Sequence, residues 1–292
     1  MNHVLRYAAF TNIPEGGNPA GVVLNAEDMD ADRMLAIAAE VGYAETAFLR
    51  HMTDDAGGAA HYRIRFFSPE AEVAFCGHAT IASGVALAER QGTGELIFHT
   101  TGGLVPVRTG FDRAGVFTAT LTSVAPKVET IEPDDLEAAL GHLGWETGEL
   151  DPEMPPRIAY AGARHLIIAA GSRERLTDLD YDFDGLKTFM LEHDLTTVDL
   201  VWRRNHHTYD SRNTFPVGGV VEDPATGAAA AAFGAYLREL HLLTPPATVH
   251  IRQGDDIGRP SRLTVQVAVD HPEISVTGRA VPIEDPHENR RA

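Results

Sequence analysis

Three short segments carry side chains that could move a proton or hold a small anion. The first is Phe75-Cys76-Gly77-His78-Ala79-Thr80, which runs from an apparent loop into an apolar helix. Backbone N–H groups at a helix start point outward and carry partial positive charge. Gly77 lets an anion approach them closely. His78 exchanges a proton near neutral pH, and Cys76 is either a reactive or an inert buried thiol. The second is Asp223-Pro224-Ala225-Thr226-Gly227-Ala228, which leads into another apolar helix. Asp223 and Thr226 are the residue types that cap exposed N–H donors, and Asp223 equally suits a catalytic carboxylate. The third is Tyr43-Ala44-Glu45-Thr46-Ala47-Phe48. Glu45 sits among apolar neighbours, where a carboxyl is costly to ionise and its pKa is expected to rise toward the range useful for proton transfer. A solvent-facing strand residue is the competing reading. Asn18 in a Gly-rich loop, Gly254 and Arg259 are further candidates for ligand contact, unless those stretches are simply turns.

Other chemistries find no matching pattern. The sequence has no G-x-x-x-x-G-K-[ST] phosphate loop, no strand–G-x-G-x-x-G–helix fingerprint, no H-E-x-x-H and no G-x-S-x-G elbow. No cofactor and no metal are expected. Cys76 is the single cysteine, which excludes an intramolecular disulfide and argues against a thiolate cluster. With 42 acidic and 24 basic residues, the net charge of −18 repels nucleic acid and anionic lipid. Apolar runs are short, so neither a membrane span nor a secretory signal is expected. Together these features lead to the expectation of a cytoplasmic protein.

The elements that position these residues follow from periodicity. Strands are expected over 3–10, 22–25, 45–50 and 62–68, and the segment 15–21 reads as a loop because Gly and Pro punctuate it. Residues 30–41 have helical periodicity. Gly77–Gln91 is a helix apolar on most faces, followed by three short strands to about residue 122. A Pro- and acid-rich stretch around 125–135 reads as a linker. A helix from Pro133, strands around a turn at Ala161-Gly162, and a helix near 182–193 follow. Thr226–Leu240 forms the second apolar helix, and three strands close the chain. Shifting by 150 residues matches Gly77, Ala79, Ala82, Gly84 and Leu87 with Gly227, Ala229, Ala232, Gly234 and Leu237, five identities in eleven positions. This suggests an internal duplication. A helix apolar all round must be enclosed. The expected fold is therefore α+β, with two similar domains, each a curled mixed sheet around a central helix. The boundaries fall at 1–124 and 125–276, with a C-terminal strand at about 277–292 returning to the first domain.

The segments GGNPAGVVL, YAETAFL, IRFFSPEAEVAFCGHATIASG, EDPATGAAAAAFGAYL and QGDDIGRPS resemble, in order and spacing, the PhzF-like family of phenazine biosynthesis, which shares the diaminopimelate-epimerase fold. The resemblance implies pseudo-symmetric domains with the site between them, and isomerisation by moving a hydrogen between carbons. It implies Glu45 as the acid–base group, with His78 and Asp223 as its catalytic companions. It implies that backbone groups around Gly77 and Gly227 hold the carboxylate of a small substrate, and a homodimer; Asn18, Cys76, Thr226, Ala228, Gly254 and Arg259 complete the expected substrate-binding set. The chain departs from the family pattern at Ala228, where a serine hydroxyl is common. It also departs from two-thiol epimerases of this fold, because only Cys76 stands at such a position. The rival readings are a one-thiol epimerase pairing Cys76 with Asp223 or Glu45, and a non-catalytic carboxylate binder.

Overall fold

The computed structural model describes residues 4–52 and 58–284; His3 and the chain beyond 284 lie outside them. The chain divides into two compact units, one of Met1–Thr122 with Thr277–Ala292 and one of Ser123–Val276. In chain order the first part contains β1 (Leu5–Ala9), β2 (Asn18–Val23), α1 (Ala31–Val41), β3 (Glu45–Met52), β4 (Ala60–Phe67), β5 (Glu72–Val73), α2 (Gly77–Gln91), β6 (Glu95–Thr100), β7 (Gly103–Phe111) and β8 (Phe117–Thr122). Then follow β9 (Lys127–Thr130), α3 (Pro133–Leu143), β10 (Arg157–Tyr160), β11 (Arg164–Ala169), α4 (Arg173–Thr177), α5 (Phe183–Glu192), β12 (Thr197–Asn205), β13 (Thr208–Phe215), β14 (Val220–Asp223), α6 (Gly227–Glu239), β15 (Ala247–Gln253), β16 (Ser261–Val267) and β17 (Ile274–Pro282).

In the first unit β1, β2, β3, β4, β6, β7, β8 and the end of β17 pair in a ring that closes back on β1, with β5 added on β4. The result is a mixed barrel, in which β2–β3 and β4–β6 are parallel and the other registered pairs antiparallel. Helix α2 packs on β1, β2, β3, β7 and β8. Its residues Gly77 through Ala88 are all buried, as a helix apolar on every face requires. Each fully buried large apolar side chain, such as Ile81 or Val85, contributes roughly 1.5–3 kcal/mol. Outside the barrel, α1 covers β3 and β4 through Met34, Ile37, Phe48 and Phe67. Side chains alternate along a strand. Phe48 faces α1, so Glu45, Ala47 and Leu49 face the α2 side.

The second unit repeats this order. Strand β10 pairs antiparallel with β11, β11 runs parallel to β12, β12 pairs antiparallel with β13, and β13 runs parallel to β15 and antiparallel to β14. The corresponding steps in the first unit run from β1 to β6 with the same senses. Helix α6 follows β14 as α2 follows β5, and packs on β9, β10, β11 and β16. The matched glycines explain the shared pattern. A Cβ on Gly84 would lie 2.9 Å from the Cβ of Ala119, and one on Gly234 would lie 2.7 Å from Cγ1 of Val265. Both helices touch their barrel wall at the same place, where no side chain fits. The outer face of the second unit is covered by α3 and α5, through Leu140, Leu143, Leu186, Phe189 and Met190 against Leu166, Ile168, Val198 and Leu200.

Two local expectations change. The Gly-rich loop ends at Asn18, because residues 18–21 already pair with β1; Pro19 lacks only its own N–H and is tolerated there. The stretch around 125–135 is not a linker, since β9 pairs with β10 and Pro133 occupies the first turn of α3, a position where its missing donor costs nothing. His206 and His207 form the turn between β12 and β13. Among the described residues no helix is long and apolar enough to cross a membrane.

Candidate active site

Glu45 opens β3 and His78 is the second residue of α2. The inward face of β3 and the buried start of α2 bring His78 Nε2 to 3.4 Å from Glu45 Oε2. On the other side of the ring, Asn18 Nδ2 lies 3.1 Å from His78 Nδ1. Cys76 Sγ is 3.3 Å from Nδ1 and 3.8 Å from Nε2. Four sequence candidates, Asn18, Glu45, Cys76 and His78, thus form one cluster. Burial pushes His78 down to about 3, against the backbone carbonyl of Pro19, which accepts a hydrogen bond from the ring. The imidazole is therefore neutral at physiological pH, with a single N–H. With that proton on Nε2 the ring is directed at the Glu45 carboxylate and Nδ1 accepts from the Asn18 amide; with it on Nδ1 the ring donates to a carbonyl oxygen instead.

The start of α2 has no side-chain cap. Cys76 occupies the N-cap position without a side-chain hydrogen bond to the helix, and Thr80 Oγ1 donates back to the Cys76 carbonyl at 2.7 Å. The first N–H groups of α2 therefore carry their positive end into a buried pocket of polar atoms. That is the local chemistry of an anion site.

The second unit gathers its own group. Asp223 closes β14 and is 8% exposed. Thr226 holds the N-cap position of α6, without a side-chain hydrogen bond to the helix, and donates its hydroxyl to Asp223 Oδ2 at 2.5 Å. Gln253, 2% exposed, ties this stretch together. Its Nε2 donates to the Asp223 carbonyl at 2.7 Å and to Thr226 Oγ1 at 3.1 Å, and its Oε1 accepts from the Thr226 N–H at 3.1 Å. Sequence reading pairs Gln253 with Gly254 as a minor ligand-contact candidate, with a plain turn as the competing reading. Gly254 has φ +75° and its missing Cβ would sit 2.3 Å from the Arg259 carbonyl and 2.8 Å from that of Pro224. It packs the turn against the Asp223–Thr226 stretch. Arg259 donates its N–H to the Gly254 carbonyl at 2.9 Å, which places its backbone in that turn. Gly227 is buried and Ala228 half-buried in the first turn of α6.

Aligning the two barrels by strand register shows how the copies differ. Thr46 pairs with Phe67 as Val198 pairs with Thr214, and Phe67 pairs with Glu72 as Thr214 pairs with Glu222. Thr197 therefore occupies the position of Glu45, and Asp223 that of Val73. In the second unit His165 Nδ1 meets Thr197 Oγ1 at 2.7 Å, its Nε2 has no hydrogen-bond partner among the described residues, and burial pushes the ring down to about 3.

A closed barrel around a helix without a side-chain cap, carrying a carboxylate–imidazole pair and repeated in strand order by the second unit, defines an isomerase of the epimerase-like class. Residues 7–285 match the family described as phenazine biosynthesis-like protein, and the chain belongs to that family. It is 29% identical over 287 residues to the uncharacterized isomerase YfhB of Bacillus subtilis, covering 95% of both chains. It is 30% identical over 264 residues to trans-2,3-dihydro-3-hydroxyanthranilate isomerase of Pseudomonas aeruginosa, covering 90% of this chain and 89% of that one. A solved structure from Pseudomonas aeruginosa, described as a predicted epimerase, superposes with a TM-score of 0.84 at 25% identity, covering 97% of this chain and 98% of that one.

Proposed function

We propose that this isomerase moves a proton between carbons of a small carboxylate without a cofactor, with Glu45 as the acid–base group. The observation that carries the reading is the Glu45–His78 contact of 3.4 Å at the uncapped, buried start of α2. Glu45 as carboxylate takes a proton from a carbon next to an unsaturated system. The C–H electron pair moves into that system, and the protonated Glu45 returns the proton at another carbon. Neutral His78 donates Nε2–H to the carboxylate and is held from behind by Asn18. The N–H groups at Gly77 and His78 receive the substrate carboxylate, each contact contributing about 0.3–2 kcal/mol. In the second unit Asp223, with Thr226 and Gly227, is the further proton-handling and binding group of this reading. The relative's name specifies a hydroxylated dihydroanthranilate, which makes cyclic unsaturated carboxylates the first substrates to try. A homodimer in the cytoplasm, with neither nucleic acid nor membrane as partner, belongs to the same reading.

The test is deuterium incorporation from D2O into trans-2,3-dihydro-3-hydroxyanthranilate and a panel of cyclic and unsaturated carboxylates, followed by NMR. The wild type exchanges hydrogen at carbon; Glu45→Gln keeps binding and loses exchange. Exchange retained by Glu45→Gln rejects the assignment, and ligands bound without any exchange favour a binding protein instead. The nearness of Cys76 Sγ to the imidazole, 3.3 Å, favours a one-thiol epimerase as the second reading. That reading requires Cys76→Ala to abolish exchange, whereas the principal one requires it to persist.

A further inference from the structure

We propose that Glu45, Cys76 and His78 form a binding site for one thiophilic divalent cation, with Zn2+ as the reference ion, and that its occupancy blocks proton transfer. Sulfur, imidazole nitrogen and carboxylate oxygen are the three donor types zinc takes. Cys76 Sγ lies 3.8 Å from His78 Nε2, and that nitrogen lies 3.4 Å from Glu45 Oε2. One donor atom from each of the three residues falls within 4.8 Å of the others. A tetrahedral zinc with Zn–S of about 2.3 Å and Zn–N or Zn–O of about 2.0–2.2 Å sets its ligands about 3.3–3.6 Å apart. Two edges of the triangle already match within a few tenths of an ångström. The third closes by a small swing of the Glu45 side chain, which is the least enclosed of the three at 14% exposure, against 6% for the His78 side chain.

The surroundings suit a borderline-soft ion. Cys76 and His78 are adjacent to Gly77 at the rigid start of α2, so two ligands are fixed by one helix turn. A metal on Nε2 requires the ring proton on Nδ1. The Asn18 carboxamide, by presenting its oxygen, or the Pro19 carbonyl accepts that proton, which is the outer support that metal-bound histidines require. A thiolate and a carboxylate balance the two positive charges, and the thiol proton leaves on binding. Hard cations such as Mg2+ and Ca2+ need six or more oxygen ligands, which this triangle does not offer. Sequence spacing hides the site, because Glu45 comes from β3 and the other two from α2.

The binding half stands independently of the proposed reaction; the blocking half rests on it, because the ion would occupy the lone pairs through which Glu45 and His78 handle the proton. The test uses the whole chain and Co2+ as the probe. One Co2+ per chain is expected, with a thiolate-to-cobalt charge-transfer band that Zn2+ displaces. Cys76→Ala should lose the band and weaken Zn2+ binding at least tenfold. Zn2+ should also protect wild-type Cys76 from alkylation, read by intact mass without ambiguity because it is the only cysteine; this readout does not depend on a variant folding. Cobalt bound without the band, equal binding by Cys76→Ala, or alkylation indifferent to Zn2+ overturns the site. If the ion binds and substrate exchange persists unchanged, the blocking half is overturned. If no carboxylate ever exchanges, the proposed reaction fails and the metal site stands.

Discussion

His165 offers a sharp test of how the second barrel uses its polar interior. Its neighbours Leu166 and Ile168 belong to the outer core, so the ring points inward with Thr197 and Asp199. Burial holds it near 3 instead of 6.5, so the unfolded chain binds a proton that the folded chain refuses between those values. Stability must therefore fall as pH drops below 6.5. At about 1.4 kcal/mol per pH unit, the loss between pH 7 and pH 5 is about 2 kcal/mol. Asp199 acts in the opposite sense. Burial raises it from 3.8 to about 6, against hydrogen bonds from Ser211 at 2.6 Å and Asn213 at 3.3 Å. Its folded pKa is raised, so its contribution is present at low pH and is lost as pH rises through 6. It recovers about 1 kcal/mol between pH 7 and pH 5. Both tryptophans, Trp145 and Trp202, lie in this unit, so urea unfolding followed by their fluorescence reports on it directly. His165→Asn should reduce the stability lost between pH 7 and pH 5 by about 2 kcal/mol relative to wild type, and Asp199→Asn should increase it by about 1 kcal/mol. Any pH-independent cost of either substitution cancels in the difference. A His165→Asn protein whose loss equals that of wild type refutes the reasoning.

Two other substitutions probe the scaffold and the second candidate site. Gly234→Val forces a side chain against Val265 and Ile274, whose methyls lie 2.7 and 2.9 Å from the missing Cβ. It should cost about 3 kcal/mol, seen as a lower urea midpoint, and a neutral result would contradict the close helix–barrel contact. Gln253→Ala removes three hydrogen bonds from the Asp223–Thr226 stretch. The expected cost is roughly 1–3 kcal/mol in stability, with exchange lowered at saturating substrate. A variant that loses stability but keeps full exchange would show that Asp223 needs no such support.

The sequence made some of this legible and hid the rest for identifiable reasons. Helices α2 and α6 were readable because small and apolar residues dominate them, with only His78, Thr80 and Ser83 polar in the buried part of α2, and because their glycines match at a fixed spacing. Asn18 was misplaced in a loop because glycine and proline dominate a local reading, whereas β-pairing with Ala9 decides its conformation. Strand β9 was read as linker because Lys127 to Thr130 carry no apolar alternation; half of its character comes from pairing with β10. Of the two residues that could cap α6, Thr226 holds the N-cap position, and its hydroxyl goes to the Asp223 carboxylate. Glu45 and His78 were named separately, and their contact needed the barrel: Phe48 must face α1 before Glu45 can face α2. Gln253 continues the inward face of Val249 and Ile251 along β15, but its importance lies in three hydrogen bonds that a local reading does not show.

The register alignment explains why duplication of the scaffold did not duplicate the chemistry. At the head of the third barrel strand the first unit has Glu45 and the second has Thr197. Before the central helix the first unit has Val73 and the second has Asp223. At these two positions each copy thus has one carboxylate, at a different point of the same frame. In the first unit, His78 stands at the second position of α2, beside its acid; the second unit has Ala228 there and spends its buried histidine, His165, on Thr197. Two equivalent bases, as symmetric racemisation requires, would need the same residue type at the same frame position. The substitutions at both positions run the other way, and they leave a single carboxylate–imidazole pair in the first barrel. The reaction proposed above, in which one group removes a proton and returns it elsewhere, needs no second equivalent base and is consistent with such an unequal pair of copies.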